Sequence, residues 1–455
     1  MLAELIQEYR DQIKNSRKGI YDVFISILPQ GVALVTGLIT SILIARGLGP
    51  AELGKYALVI SVSAMITSLS DLGIGQTAIR YAARCVANHD EAGHRAVLRW
   101  AFRIRIMLVL AVSCATFFLS PFLAQQFWHD ENLSPLIRLS LTIGLLGVAA
   151  SVPIIYFQSL KLFRANAGVM IFQALTLMAG IVLLELFQAW ALQWVIIVSI
   201  VSYAVNASAI LILVPKDSIF KWSDFAYLKH GAINYVKSPK FKNYSAETPD
   251  DATATVFAFF MMLSAGIVML VVKADIWLMG YFLEPRQIGI YSAASRFALP
   301  LMMAVSAMST VLWPRMSNLR EQPEVMKFVR GIFLLSGLAA FSGLGYAVIA
   351  PLFIPFVFGE EYAGGILLGQ LLCFRFCLSM FLSPVGIVGY SFGFVRFIWL
   401  INILQLIAVV GINIWLLPIY GPIGGALALI TAEVIGGAFT IPVLWHKLKR
   451  FQLTQ

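Results

Sequence analysis

Six ionisable side chains sit inside long apolar runs of this 455-residue chain: the cations Lys273, Arg296 and Arg375, and the acids Asp71, Asp275 and Glu433. A charge at the centre of a bilayer costs about 3 kcal/mol or more unless it faces water, a partner or a ligand, so each marks a candidate site. Lys273 and Asp275 are too close in sequence to face each other on a helix, and at least one needs a partner elsewhere. Arg296 and Arg375 lie too deep in their runs to snorkel to an interface, which leaves a cavity or a structural ion pair. Asp71 and Lys273 lie nearer run ends, where snorkelling is an equal alternative. Guanidinium groups in a water-poor chamber pair bidentately with phosphate. Such a lining suits a substrate carrying phosphate or acidic sugars and repels a cationic drug. Arg46, Arg80 and Arg84 flank the first two runs, where they either set topology or guard the mouth of a cavity.

Other chemistry has no foothold. The histidines (His89, His94, His129, His230, His446) are scattered, with no HExxH pattern, and no Walker-type glycine loop is present. Cys114, Cys373 and Cys377 lie in apolar runs, where a thiol packs as a small hydrophobe, and no carboxylate or histidine accompanies the Cys373–Cys377 pair to bind a metal. The expectation is a non-enzyme without cofactor or metal.

These side chains must be positioned by membrane helices. Apolar residues make up 60% of the chain and charged residues 12%, against roughly 25% charged in a soluble domain. About 20 apolar residues cross a bilayer, and such runs fall at 20–45, 56–79, 104–124, 136–157, 166–187, 194–214, 255–282, 288–313, 331–355, 365–389, 397–417 and 424–445. Placing both termini in the cytoplasm puts most of the 33 Lys and Arg on that side, which accounts for the net charge of +10 without nucleic acid. The alternation requires an even number of spans near twelve. No cleavable signal is evident; residues 1–19 read as an amphipathic helix on the cytoplasmic face, and 446–455 as a cytoplasmic tail. The polar stretch 215–254 is basic and aromatic, suits anionic lipid headgroups, and divides an N-lobe (20–214) from a C-lobe (255–445). Pro29, Pro153, Pro300, Pro351 and Pro384 are expected to kink their spans. Gly337, Gly343, Gly345, Gly424, Gly425, Gly436 and Gly437 read as helix-packing contacts.

The halves share a signature, Pro-x-[Glu/Gln]-[Leu/Ile]-Gly-x-Tyr, at Pro50–Tyr56 and again at Pro285–Tyr291. A weaker echo pairs Phe163–Phe187 with Val395–Tyr420 and sets Gln173 opposite Gln405. Both signature turns fall outside the membrane, each opening a six-span half, so the repeat is parallel, with a pseudo-two-fold axis along the membrane normal. Two such bundles facing each other enclose a chamber suited to alternating access.

Several stretches resemble bacterial oligosaccharide flippases, the polysaccharide transport branch of the multidrug/oligosaccharidyl-lipid/polysaccharide exporter superfamily. They are Ile44–Pro50 with Gly54–Tyr56, Asp71–Gly73 and Arg80; Asp275 with Ile288–Arg296; Phe358–Tyr362; and Leu417–Ala426. The resemblance implies an all-α fold of two six-helix lobes in the bacterial inner membrane. It implies that the chain moves an undecaprenyl-pyrophosphate-linked oligosaccharide repeat unit, of O-antigen or exopolysaccharide type, to the periplasmic leaflet, and that Arg296 lies beside the cavity portal. Coupling to H⁺ or Na⁺ would run through Asp71, Asp275 or Glu433. Expected partners are the lipid-linked oligosaccharide, membrane lipids, a polysaccharide polymerase and glycosyltransferases. Two rivals remain: a cation-coupled multidrug exporter of the same superfamily, which calls for an acid-lined cavity, and a membrane glycan polymerase or ligase, which calls for a long external loop.

Overall fold

The computed structural model describes residues 2–160, 162–214, 251–305, 308, 312, 322–391 and 394–450. Among them every regular element is helical: α1 (Leu2–Asp71), α2 (Ile74–Ala87), α3 (Glu91–Phe122), α4 (Leu133–Ser159), α5 (Phe163–Leu186) and α6 (Leu192–Leu213), then α7 (Asp251–Phe282), α8 (Pro285–Phe297), α9 (Gln322–Ala347), α10 (Ala350–Phe358), α11 (Ile366–Ser391), α12 (Val395–Tyr420) and α13 (Pro422–Arg450). Ten helices are long and apolar enough to cross a membrane, or eleven if a bent pair counts as one span. Large apolar side chains such as Phe118, Ile212, Phe341 and Trp415 stand exposed along them, a surface that only lipid would cover.

The count falls below twelve partly because Gly31–Asp71 registers once. That stretch is broken at Gly49, whose φ of 73° lies in the left-handed region that glycine adopts at no steric cost. Its two arms meet at the face of the protein that carries the Pro50 and Pro285 turns, here the turn face; the opposite end is the terminal face. The second arm stops at Asp71 rather than continuing to residue 79, and α2 follows as a separate amphipathic helix packed through Ala78, Ala82 and Cys85. Residues 2–19 are helical and continuous with the first arm. The expected linker 215–254 lies outside the described residues apart from 251–254, the start of α7; of the tail 446–455, only the backbone of 446–450 is described.

The proline kinks are realised unevenly. Between α8 and a short helix at Leu299–Val305 the axis bends by 50°, two residues ahead of Pro300. Pro351 starts α10 instead of kinking a span, as its missing N–H permits in a first turn. Cys85, Cys373 and Cys377 are buried, while Cys114 is exposed rather than packed in the core.

Helices α3 to α6 pack with α1, and α7 to α13 pack among themselves; α1 carries the main contacts between the two sets, against α7, α8 and α10. The centre of that contact is the signature repeat. A Cβ on Gly54 would lie 1.8 Å from the Pro285 carbonyl oxygen, and one on Gly289 would lie 1.8 Å from that of Pro50. The two turns therefore meet backbone to backbone, reciprocally, as a two-fold relation requires. Around them the Tyr362 hydroxyl donates to Ala45 O at 2.7 Å, and Trp277 Nε1 donates to Ser61 Oγ at 2.9 Å. Toward the terminal face the sets touch where the Leu72 side chain lies against Gly266.

Candidate functional site

Four of the sequence-selected residues reach one depth. At 1.5 Å per residue, Lys273, Arg296, Arg375 and Glu433 lie roughly 13–17 Å from the turn-face ends of α7, α8, α11 and α13, near the middle of an apolar core about 30 Å thick. Lys273 acts electrostatically on both Asp275 and Arg296. Arg296, exposed at the junction of the sets, acts on Tyr56 of the first set, whose hydroxyl bonds Ser199. Among the described residues no carboxylate lies within 4.0 Å of the Lys273 or Arg296 side-chain nitrogens. Among the described residues these two cations have no direct ionic partner. Arg375 makes a long contact of 3.9 Å to Glu433, lies 5.0 Å from the Phe376 ring centroid, and has a buried Nε with no partner.

The acids divide differently. Asp275 is 5% exposed and is tied between helices: the Tyr291 hydroxyl of α8 donates to its Oδ2 at 2.5 Å, and the Ile276 N–H donates to Oδ1 at 2.8 Å. Its stabilisation comes from these bonds and from the nearby charges of Arg375 and Lys273. Asp71 belongs to the first set, where its Oδ1 lies 3.2 Å from Arg105 and accepts the Gly75 N–H at 3.1 Å. Glu433 lines an open cavity.

Arg46 is engaged elsewhere. Its Nε donates to Val357 O at 2.8 Å and an Nη donates to Phe356 O at 2.6 Å, so it satisfies the carbonyl end of α10 across the two sets. Arg80 and Arg84 lie on α2, and their side chains fall outside the described residues. Outside the spans, burial and the nearby Asp90 raise the Cys85 thiol above its ordinary value, which leaves it a poor nucleophile.

A family model described as polysaccharide biosynthesis protein matches residues 20–320. The chain belongs to this family. No curated protein matches it by sequence. Solved structures with the same fold include a multidrug resistance MATE family transporter of the MOP superfamily in its inward-facing conformation (TM-score 0.70, 13% identity, 94% of this chain and 99% of that chain). The outward-facing form of such a transporter gives a TM-score of 0.63 at 14% identity over 94% and 95% of the two chains. The lipid II flippase MurJ in an inward closed conformation gives 0.67 at 14% identity, over 94% of this chain and 87% of that one. This family member is thus a multi-pass membrane protein with the fold of MOP superfamily transporters.

Two site residues escaped the sequence reading. Arg105, at the edge of the run 104–124, was not among the six selected charges; α3 begins at Glu91 and carries it inward, where its side chain is 5% exposed. Tyr291 was visible as the last residue of a signature; its bond to Asp275 was not. The signal that could have found it is the pairing of a recurring tyrosine with an in-span acid that has no cation at helical spacing.

Proposed function

We propose that this protein is a flippase for an undecaprenyl-pyrophosphate-linked oligosaccharide repeat unit, carried from the cytoplasmic to the periplasmic leaflet of the inner membrane by alternating access of two six-helix lobes. The observation that carries the reading is the level of Lys273, Arg296 and Arg375 at mid-membrane depth, two of them lacking a carboxylate within 4.0 Å. Donors of this kind, set at mid-membrane depth, are stabilised by an anion, and a diphosphate supplies one. Membership of a polysaccharide biosynthesis family supports the glycan, and the likeness to a lipid II flippase supports movement of a lipid-linked headgroup. In this reading the terminal face is cytoplasmic, with both termini there. The prenyl chain stays in lipid while the headgroup occupies the chamber, and rocking about the turn-face contact exposes it outside.

The many MATE transporters sharing the fold favour a multidrug exporter as the second reading. The cation level opposes it, because a cationic drug would be repelled. H⁺ or Na⁺ coupling falls to Asp71, Asp275 or Glu433; gradient dependence that survives neutralisation of all three would remove them from that role. The decisive experiment is Arg296→Glu in the native strain. The expected result is loss of surface glycan at normal protein level, with single lipid-linked repeat units retained on the cytoplasmic leaflet. Wild-type glycan would exclude Arg296 from the site, and repeat units displayed outside would indicate a polymerase or ligase instead.

A further inference from the structure

In the first set, polar side chains of α5 and α6 close on each other. Asn206 Nδ2 donates to Gln173 Oε1 at 3.1 Å, Tyr203 bonds Gln173, and the Thr176 and Ser202 hydroxyls lie 3.1 Å apart. The second set repeats the arrangement with three side chains changed. Gln405 of α12 donates through Nε2 to Ala432 O of α13 at 3.2 Å. Aligned on these contacts, Ala432 takes the place of Ser202, Glu433 that of Tyr203 and Gly436 that of Asn206. A Cβ on Gly436 would lie 2.1 Å from Gln405 Nε2, so a side chain there would displace the amide.

A hydroxyl, a phenol and a carboxamide are thereby replaced by a methyl, a carboxylate and a hydrogen, and the Gln405 amide settles against Gly436. A cavity of about 440 Å³ lies beside it, whose largely aliphatic walls also present Ser379, Ser383, Asn402, Gln405, Glu433 and Thr440. Pockets for small ligands run from about 300 to 1,000 Å³. The hydrogen bonding of these walls is one-sided. The Ser383 hydroxyl donates to Met380 O at 2.9 Å, and that of Thr440 donates to Gly436 O at 2.6 Å. Asn402 Nδ2 donates to Ser264 Oγ, and Gln405 Nε2 is engaged as above. What remains is chiefly acceptor capacity, in hydroxyl lone pairs, amide oxygens and the Glu433 carboxylate, beside one hydrogen on each amide and the Ser379 hydroxyl. Phosphate, an acceptor at neutral pH, gains little from such walls, whereas sugar hydroxyls bring the hydrogens they lack.

The cavity adjoins the cation level. Arg375, Ser379 and Ser383 follow one another at four-residue spacing along one side of α11, about 6 Å apart per step, with Arg375 nearer the turn face. We infer that this cavity is a carbohydrate subsite: it takes the hydroxyl groups of the glycan while the neighbouring cations hold the diphosphate. The inference rests on the flippase reading and divides that site into a donor level for the anion and an acceptor chamber for the sugar.

The test uses the full chain in nanodiscs and two probes, measured by calorimetry: farnesyl pyrophosphate, and the neutral repeat-unit oligosaccharide cut from the strain's own surface polysaccharide. Gly436→Asn, which restores the residue of the first set, should weaken the oligosaccharide about three- to tenfold, the equivalent of one hydrogen bond, and leave farnesyl pyrophosphate within about twofold. Arg296→Glu should do the reverse. Should Gly436→Asn fail to fold, the double variant Ser379→Ala, Ser383→Ala carries the same expectation. The subsite is overturned if the wild-type protein does not bind the oligosaccharide, if these variants leave its affinity unchanged, or if they weaken both probes alike. Normal pyrophosphate binding beside a silent Gly436→Asn removes the subsite alone. Absence of pyrophosphate binding, with surface glycan intact in Arg296→Glu, removes the flippase reading itself.

Discussion

Gln173 and Gln405 stand at matching places in two halves that share a signature, and their neighbourhoods have diverged. Around Gln173 the partners are side chains of the same bundle, Asn206 and Tyr203, and the cluster closes. Around Gln405 the matching places hold Gly436 and Glu433, and a cavity opens beside a cation level. The same contrast holds for charge. The first set pairs Asp71 with Arg105 at 3.2 Å, whereas the second leaves Arg375 and Glu433 at 3.9 Å and holds Lys273 and Arg296 with no carboxylate inside 4.0 Å. One half behaves as a scaffold and the other carries the polar groups free to meet a ligand. Duplication thus gives two frames of similar packing, and divergence at a few side chains separates their tasks.

The halves remain equivalent where the signature turns meet, and the largest effect is expected there. Gly54→Val and Gly289→Val each drive a side chain into a backbone carbonyl of the other turn, which cannot rotate aside. Overpacking of this kind costs about 3 kcal/mol or more, here at the contact that closes the turn face. Both variants should insert into the membrane and lose surface glycan to the same degree. Alkylation of a cysteine placed at Ala51, beside the turn, should rise in both. If one variant is tolerated and the other is not, the contact is not the reciprocal pivot its geometry describes.

Next in size is the ion pair of the scaffold half. Asp71→Asn leaves Arg105, 5% exposed, without its carboxylate, and removing one partner of a buried pair costs about 3–5 kcal/mol. The low end applies, because Asp71 itself is 39% exposed. Glu433→Gln should cost under about 1 kcal/mol, since Arg375 keeps the field of Asp275 and Glu433 borders an open cavity. Thermal unfolding in detergent should therefore show a clear loss for Asp71→Asn and little for Glu433→Gln. Equal losses would mean that both halves use their ion pairs for stability.

Which of these features could be read from sequence follows from how each one signals. Lys273, Asp275, Arg296, Arg375 and Glu433 stood out because a charge interrupts an apolar run, and helix geometry then places most of them at one depth. The turns stood out because Gly54 and Gly289 recur with proline and tyrosine at fixed spacing. Partners distant in sequence left no local mark. Arg46 looked like a gate residue and binds the end of α10, and Arg105 looked like the edge of a run and lies inside a helix bundle. Gly436 was harder still, since its meaning is a missing side chain. In sequence it matches Gly343, which packs closely against Cys377, or Gly345, which faces open space. Only the comparison with Asn206 gives it a role.

That comparison makes its smallest prediction at Asn206 itself. Asn206→Ala removes the bond to Gln173 Oε1 but also removes an Oδ1 that is buried without a partner. The loss of one bond, about 1 kcal/mol, is thus partly offset by relief of an unsatisfied group. Stability should fall by about 0.5 kcal/mol, with surface glycan and oligosaccharide affinity unchanged, because the Gln173 amide is engaged within its own bundle. The contrast with Gly436→Asn is the informative part: adding a carboxamide in one half should weaken sugar binding, while deleting its counterpart in the other should not. If Asn206→Ala weakens the oligosaccharide as much as Gly436→Asn does, both glutamine clusters face the ligand, and the division into scaffold and binding half fails.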